Sequence, residues 1–269
     1  MRPGLAIVAV LAFACGPAAR GGGGDDDGMG VDAASGGGSG AAGVFDPSID
    51  SVVVEIDYET GQEPYTGPIL GFGDTFDPAV TNLDRLFSGT KQLTVPRTLA
   101  EMEDIGAIDD EDITVDDLQA IAQAHRNTYD SETRRSYYVV FLSGHFSDAS
   151  GPQNFVLDVS VGNTVAMFKD VIRSTDIVVA PNVVRYVEQS TLIHELAHSI
   201  GLVDNGVPMA LSHDDAAHRP HCNNPDCVMY WQNEGSSDAV KFAQQQLVTG
   251  SSILFDAACL ADVDAMTAP

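Results

Sequence analysis

Apolar and polar positions alternate in some segments of the chain and recur at helical spacing in others. Alternation and runs of β-branched residues predict strands at 51–58, 136–142, 155–161 and 177–180. Start and stop signals around helical patterns predict helices at 77–87, 114–125, 183–200, 238–248 and 253–266, whereas 164–172 fits either a helix or a strand. We therefore expect a domain that mixes strands and helices.

The N-terminal part of the chain has the pattern of a signal and a tether. Residues 1–15 combine a positively charged start with an apolar run and Cys15, which predicts an export signal. The end of the run resembles a lipoprotein signal, in which Cys15 becomes lipid-modified, although Leu11 lies four residues before Cys15 instead of three. Simple cleavage near Ala14 is the alternative. Residues 16–43 are rich in Gly, Ser and Asp and predict a flexible tether, which leaves 44–269 as one folded domain.

The charge balance excludes several classes of partner. The chain has 13 Lys and Arg against 39 Asp and Glu, a formal net charge of −26, so a non-specific grip on nucleic acid or an anionic membrane is not expected. With 44% hydrophobic residues the chain has enough apolar side chains for a core, and no apolar run has the roughly 20 residues of a membrane-spanning helix. The acidic stretch 101–117 lacks the regular spacing of a calcium loop.

The predicted helix 183–200 carries the residues with the clearest chemistry, His194-Glu195-Leu196-Ala197-His198. Two histidines four residues apart project from one helix face and can bind one metal ion together. Glu195 stands close enough to accept a proton from a water on that ion, which is what metal-assisted hydrolysis requires. Gly201 and Asp204 extend the pattern to H-E-x-x-H-x-x-G-x-x-D, and Gly201 permits the sharp turn that returns a third ligand.

This extended motif resembles that of the metzincin zinc metallopeptidases, in which a methionine in a tight turn lies beneath the metal. Met229 is the residue that would form this Met-turn. The resemblance implies a zincin-like α+β fold, with a twisted mixed sheet packed on the active-site helix and a smaller C-terminal helical subdomain. It also implies one catalytic Zn²⁺. Tyr230 follows Met229 and is a candidate to stabilise the transition state, although it stands one residue short of the tyrosine that some metzincins use.

Two residues compete for the place of the third zinc ligand. Asp204 occupies the standard slot of the motif, and a carboxylate is an accepted zinc ligand. However, the segment from His221 to Met229 resembles the H-C-x4-C-x-M run of the archaemetzincins, in which the histidine before the first cysteine is the third ligand. In that case 202–220 is an insertion, and its His213 and His218 either join a second site or lie in solvent.

The cysteines depart from the archaemetzincin pattern. That branch has a later C-x-x-C that completes a second zinc site, whereas Cys259 alone follows here, so a site with four thiolates is excluded. In an exported protein, a disulfide between Cys222 and Cys227 is then expected beside the Met-turn, with Cys259 as a buried free thiol.

The resemblance implies a zinc endopeptidase with Glu195 as general base, acting on peptide or protein substrates. We expect a monomer held in the bacterial cell envelope by a lipid at Cys15, or released outside the cell, with no other membrane contact. The alternative is a non-catalytic surface lipoprotein that binds metal or peptide on a zincin scaffold. A pure structural zinc site, however, has four protein ligands and no use for a base such as Glu195.

Overall fold

The computed structural model describes residues 42–69, 73–177, 180 and 182–267, so the predicted signal and nearly all of the predicted tether lie outside the described residues. The strands are β1 (Ser51–Tyr58), β2 (Pro68–Ile69), β3 (Gly73–Asp74), β4 (Gln92–Thr94), β5 (Glu103–Asp104), β6 (Asp112–Ile113), β7 (Arg134–Leu142), β8 (His145–Asp148), β9 (Gly151–Gln153), β10 (Asp158–Val161) and β11 (Thr164–Phe168). The helices are α1 (Asp77–Leu86), α2 (Val115–His125), α3 (Lys169–Ser174), α4 (Asn182–Ile200), α5 (Ser236–Thr249) and α6 (Ala257–Thr267).

The main sheet is mixed, with the strand order β10-β11-β7-β1-β4 and with β5 also paired to β1. Strands β1 and β7 run parallel over their whole paired length, β11 is parallel to β7, and β10 returns antiparallel. The central strand β7 is buried from Ser136 to Leu142, which is typical of a strand covered on both faces. The α+β class predicted from the sequence is therefore confirmed.

Helix α4 lies at the centre of the molecule, between the sheet and the C-terminal helices. It contacts β10 and β11 on the sheet side and α1, α3 and α5 elsewhere. Apart from Asn182 and Arg185 its residues are buried, as expected for a helix surrounded by protein on all sides. This burial removes water from the face that carries the histidine motif.

Gly201 ends α4 in the way that the sequence predicts. Its φ is 100°, and its amide donates to the carbonyl of His198 at 2.9 Å. The next amide, that of Leu202, donates to the carbonyl of Ala197 at 3.0 Å. These two bonds form a Schellman cap, whose left-handed residue is usually glycine because other side chains are strained there.

Most other predicted elements are confirmed within a few residues, including the start of α2, where Thr114 and Asp117 form the reciprocal capping bonds. The ambiguous segment 164–172 contains both a strand, β11, and the start of a helix, α3. The strand predicted at 155–161 is shorter, and Ile177 and Ala180 are not in a strand, with the two residues between them outside the described ones.

The last predicted helix begins at Ala257 and not near residue 253. The preceding backbone is used in other bonds, since the amide of Leu254 donates to Asn82 Oδ1 at 2.8 Å and the carbonyl of Leu254 accepts from the amide of Val228 at 2.8 Å. In the described part of the chain, no helix combines the length and the apolar character that crossing a membrane requires.

A buried ion pair joins α3 to α4. Lys169 Nζ donates to Glu188 Oε2, and both side chains are almost fully buried. Glu188 Oε1 also accepts from the amide of Tyr65 at 2.7 Å, and the Lys169 ammonium lies 3.8 Å from the centre of the Tyr65 ring. The pair therefore fixes the loop before β2 against the helix that carries the histidine motif.

Lys169→Met should lower the free energy of unfolding by about 3–5 kcal/mol, because the Glu188 carboxylate would stay buried without its ammonium partner. Chemical denaturation measures the change. Lys241→Met is the control, since Lys241 pairs with Asp238 on the surface with 74% of its side chain exposed and its loss should matter little. Equal effects of the two substitutions would contradict a stabilising role for the buried pair.

Candidate metal centre

Helix α4 places His194 and His198 one turn apart on the same face. Both imidazoles are buried, and their Nε2 atoms lie 2.9 Å from each other. The rings meet edge to face, with centroids 4.6 Å apart. The geometry is that of two ligands directed at one point, as the spacing of the motif predicts.

His221 brings a third imidazole to the same point. It comes from the irregular segment after α4, and its Nε2 lies 3.3 Å from His198 Nε2. Its ring stacks on that of His194, with centroids 5.3 Å apart, and it is 3% exposed. Of the two residues that compete for the third position, the structure therefore brings His221 to the pair.

Asp204 does not join this group. It is exposed, and it lies in a tight loop in which Val203 and Asp204 both have positive φ values, 56° and 63°. The amide of Val207 donates back to the carbonyl of Gly201 at 2.8 Å, so the loop closes on the end of α4 instead of returning to its histidine face. The metzincin spacing is present in the sequence, but the backbone after Gly201 takes its aspartate away.

Backbone carbonyls fix the orientation of two of the three rings. His194 Nδ1 lies 2.7 Å from the carbonyl oxygen of Val228, and His221 Nδ1 lies 2.9 Å from that of His218. A carbonyl oxygen only accepts, so each Nδ1 carries the hydrogen, and Nε2 is the nitrogen whose lone pair faces inward when the ring binds a metal. Facing lone pairs repel one another, and a cation between them removes the repulsion. The donor set therefore fits a metal ion such as zinc.

A carboxylate that the sequence analysis missed lies at the same point. Glu234 Oε1 is 2.6 Å from His221 Nε2, 3.4 Å from His194 Nε2 and 3.8 Å from His198 Nε2. Glu234 ends a short 3-10 helix, Trp231–Glu234, and no recognised spacing in the sequence marks it. The four residues form one buried group whose ligand atoms all lie within 4.8 Å of one another.

The histidines and Glu234 shift one another's pKa values. Burial lowers the pKa of His198 well below its usual range, with the neighbouring His194 and His221 acting in the same direction, so this ring stays neutral. Burial alone would raise the pKa of Glu234, but His221 and His194 outweigh it and hold that pKa well below its usual range. The carboxylate is therefore ionised beside the imidazoles.

Glu195 and Met229 lie around this group. Glu195 is 1% exposed, and its Oε1 is 4.0 Å from His194 Nε2, in contact with the site but outside the group of four. Met229 is fully buried directly after Val228, whose carbonyl orients His194, and its own carbonyl accepts from the amide of Cys222 at 2.7 Å. Tyr230 is only partly buried, and its ring contacts that of Trp231 with centroids 6.0 Å apart.

A second group of possible ligands lies nearby, formed by His213, Cys222, Asp256 and Cys259. Cys227 adjoins it, with its Sγ 3.6 Å from Cys259 Sγ. His213 Nδ1 lies 3.8 Å from Cys259 Sγ, while His213 Nε2 is 2.7 Å from Oδ2 of the buried Asp262. Of the two histidines in the predicted insertion, His213 thus enters a site, whereas His218 stacks on Trp231.

The disulfide predicted between Cys222 and Cys227 is wrong, because both thiols and that of Cys259 are free. Cys227 approaches Cys259, and contacts with both other thiols hold the pKa of Cys222 well below its usual range. The three sulfur atoms therefore gather around a shared point with His213, and that gathering is typical of a thiolate metal site rather than of a disulfide.

No family model matches the chain, and no curated protein matches its sequence. Among solved structures, the chain is similar to archaemetzincin from Methanopyrus kandleri, with 13% sequence identity and a TM-score of 0.43 over 82% of this chain and 97% of the other. A likeness of this size does not bear on function.

His221→Ala should reduce the zinc bound per chain by about one equivalent, because two imidazoles hold the ion far less tightly than three. Asp204→Asn is the matched control: it removes the competing carboxylate, keeps the side-chain size, and asparagine tolerates the positive φ. Elemental analysis after dialysis against a weak chelator measures the difference. Loss of zinc from Asp204→Asn with retention in His221→Ala would reverse the assignment.

Proposed function

We propose that the protein is a zinc-dependent endopeptidase that hydrolyses peptide bonds with Glu195 as general base. His194, His198 and His221 hold the ion. The observation that carries the proposal is the position of Glu195, a buried carboxylate beside three inward-facing imidazoles. A structural metal site needs no such neighbour, whereas hydrolysis does.

Different residues of this chain have different roles in the proposed reaction. Zinc, when bound, acts as a Lewis acid that lowers the pKa of water to about 7 and polarises the substrate carbonyl. Glu195 accepts a proton from the attacking water and delivers it to the leaving amine. The carbonyl of Val228 holds His194 in the tautomer that presents Nε2 to the ion, and Met229 keeps this loop buried under the site. Tyr230 is a candidate to stabilise the developing oxyanion.

A second function is supported by a different observation. Glu234 completes a set of four protein donors around the histidine site, and closed sets of four are typical of structural zinc. A surface protein that binds metal or peptide without cleaving it is the alternative. Digestion of a broad peptide library with and without a chelator separates the two functions.

We also propose a second, structural zinc ion, held by His213, Cys222, Cys227 and Cys259. The distances of 3.6 Å between Cys227 Sγ and Cys259 Sγ and 3.8 Å between Cys259 Sγ and His213 Nδ1 are close to the edge of about 3.8 Å in a tetrahedron with Zn–S bonds of about 2.3 Å. Asp262 binds the other nitrogen of His213 and so directs Nδ1 at the cluster.

The cellular setting is proposed from the sequence alone. Residues 1–15 would export the protein, a lipid at Cys15 or cleavage near Ala14 would leave it in the cell envelope or outside the cell, and 16–43 would tether the domain. The substrate is then a peptide or protein in that compartment, attacked by a monomeric enzyme.

Glu195→Gln should keep the zinc and lower peptide hydrolysis by about 10²–10⁴-fold, because the amide cannot accept the proton. Cleavage of a quenched fluorescent peptide library, with zinc content measured on the same samples, reports both properties. Asp204→Asn, which also removes one carboxylate near α4, should cleave like the unaltered protein. Full activity in Glu195→Gln would exclude this mechanism.

The unaltered protein should bind two zinc ions, and His213→Ala should bind one fewer. His218→Ala is the control, because His218 stacks on Trp231 outside both groups. Because a structural ion contributes folding free energy, His213→Ala should also unfold at lower denaturant concentration. Two zinc ions in His213→Ala would contradict the second site.

A further inference from the structure

We propose that Glu234 is a fourth protein ligand of the histidine site and keeps it closed in the resting protein. The carboxylate must then leave its place before water and substrate gain access, so the enzyme is latent until substrate displaces a residue of its own chain. This inference rests on the proposed peptidase function for its consequence, but the ligand role of Glu234 is independent of it.

The distances support a tetrahedral set of donors. Four identical bonds of 2.0–2.1 Å to zinc place the donor atoms about 3.3 Å from one another. His198 Nε2 lies 2.9 Å from His194 Nε2 and 3.3 Å from His221 Nε2. Glu234 Oε1 lies 2.6 Å from the Nε2 atom of His221, 3.4 Å from that of His194 and 3.8 Å from that of His198. These five edges scatter around the expected length, with the carboxylate oxygen at the fourth corner.

The contact between Glu234 and His221 joins a carboxylate oxygen to the ring nitrogen that faces the site. Nδ1 of that ring faces the carbonyl of His218 at 2.9 Å, so Nε2 is the nitrogen that offers its lone pair to a metal ion. The carboxylate oxygen 2.6 Å away also offers lone pairs. A proton on Nε2 joins these two atoms in the metal-free protein, and a metal ion that replaces the proton is bound by both of them.

Within the described residues, the charge partners of Glu234 are all imidazoles. In the described part of the chain, the ion pairs of Glu234 are with His194, His198 and His221, and none is with Lys or Arg. The residue is 6% exposed, and an ionised carboxylate at that depth is costly without a counter-charge. A divalent ion bound by the three imidazoles supplies that charge.

The backbone around Glu234 is tied to the same loop that orients the histidines. The side-chain amide of Asn233 donates to the carbonyls of Cys227 and Val228, each at 3.0 Å, and the Val228 carbonyl is the one that faces His194 Nδ1. Because these bonds hold the backbone, opening requires only rotation of the Glu234 side chain. Glu234 and Glu195 thus have opposite roles, one closing the site and the other acting once it is open.

The experiment uses the full chain loaded with Co²⁺ and titrated with azide, a small anion that binds to a metal with an open position. The unaltered protein should show little change in its visible spectrum, whereas Glu234→Ala should bind azide with new bands. The thiolate group keeps four protein donors in both proteins and serves as an internal reference. Glu234→Gln, which keeps the volume of the side chain, provides a second variant if Glu234→Ala folds poorly.

Zinc affinity, measured by competition with a chelator, gives a second readout. Glu234→Ala should bind the histidine-site ion at least about tenfold more weakly, a loss in the range known for groups that support metal ligands. Glu195→Gln is the matched control, since it removes the other carboxylate beside the site and should keep both the affinity and the azide response of the unaltered protein.

Azide binding to the unaltered protein as strong as to Glu234→Ala, or equal zinc affinities, would overturn the ligand role. If both titrations give the expected results but the protein cleaves no peptide, the ligand role of Glu234 is supported and the peptidase function is contradicted. Peptide cleavage that requires Glu195, together with a cleavage rate and an azide response that Glu234→Ala does not change, would support the peptidase function and contradict the closed state.

Discussion

Three imidazoles that converge on one buried point repel one another, and the architecture around them holds them there. Helix α4 is buried along nearly its whole length, so His194 and His198 lose water on the face they share. The carbonyls of Val228 and His218 fix two of the rings in the required tautomer. The site is thus preorganised for a cation by the buried helix α4 and by two backbone carbonyls from the segment that follows it.

The segment between α4 and α5 has little regular structure, and it contributes residues to both groups of possible ligands. His221 belongs to one group and the adjacent Cys222 to the other, and the amide of Cys222 also binds the carbonyl of Met229. An ion in the thiolate group would therefore hold the backbone that presents His221. The proposed structural ion would then stabilise the ligand geometry of the neighbouring histidine site, as groups outside the ligand shell do in other metal sites.

Two carboxylates contact the histidine site from different elements. Glu195 lies on α4 beside His194, while Glu234 comes from the 3-10 helix after the methionine loop and reaches all three Nε2 atoms. In the proposed mechanism a base needs an open coordination position, which Glu234 would fill. The proposed closed and active states would then differ in the rotation of the Glu234 side chain.

The sequence by itself determined the mixed class of the fold, the long strands and helices, and the common face of His194 and His198. These depend on periods of two and 3.6 residues, which local backbone geometry imposes. The sequence pattern did not predict the short strands β2 to β6, β8 and β9, because two to four residues are too few to show a period. Only the tertiary structure separated His221 from Asp204, gathered the thiols around His213 and revealed Glu234. All three findings depend on the path of the chain after Gly201. Contacts between segments that are distant in the sequence produce no regular residue spacing from which they could be predicted.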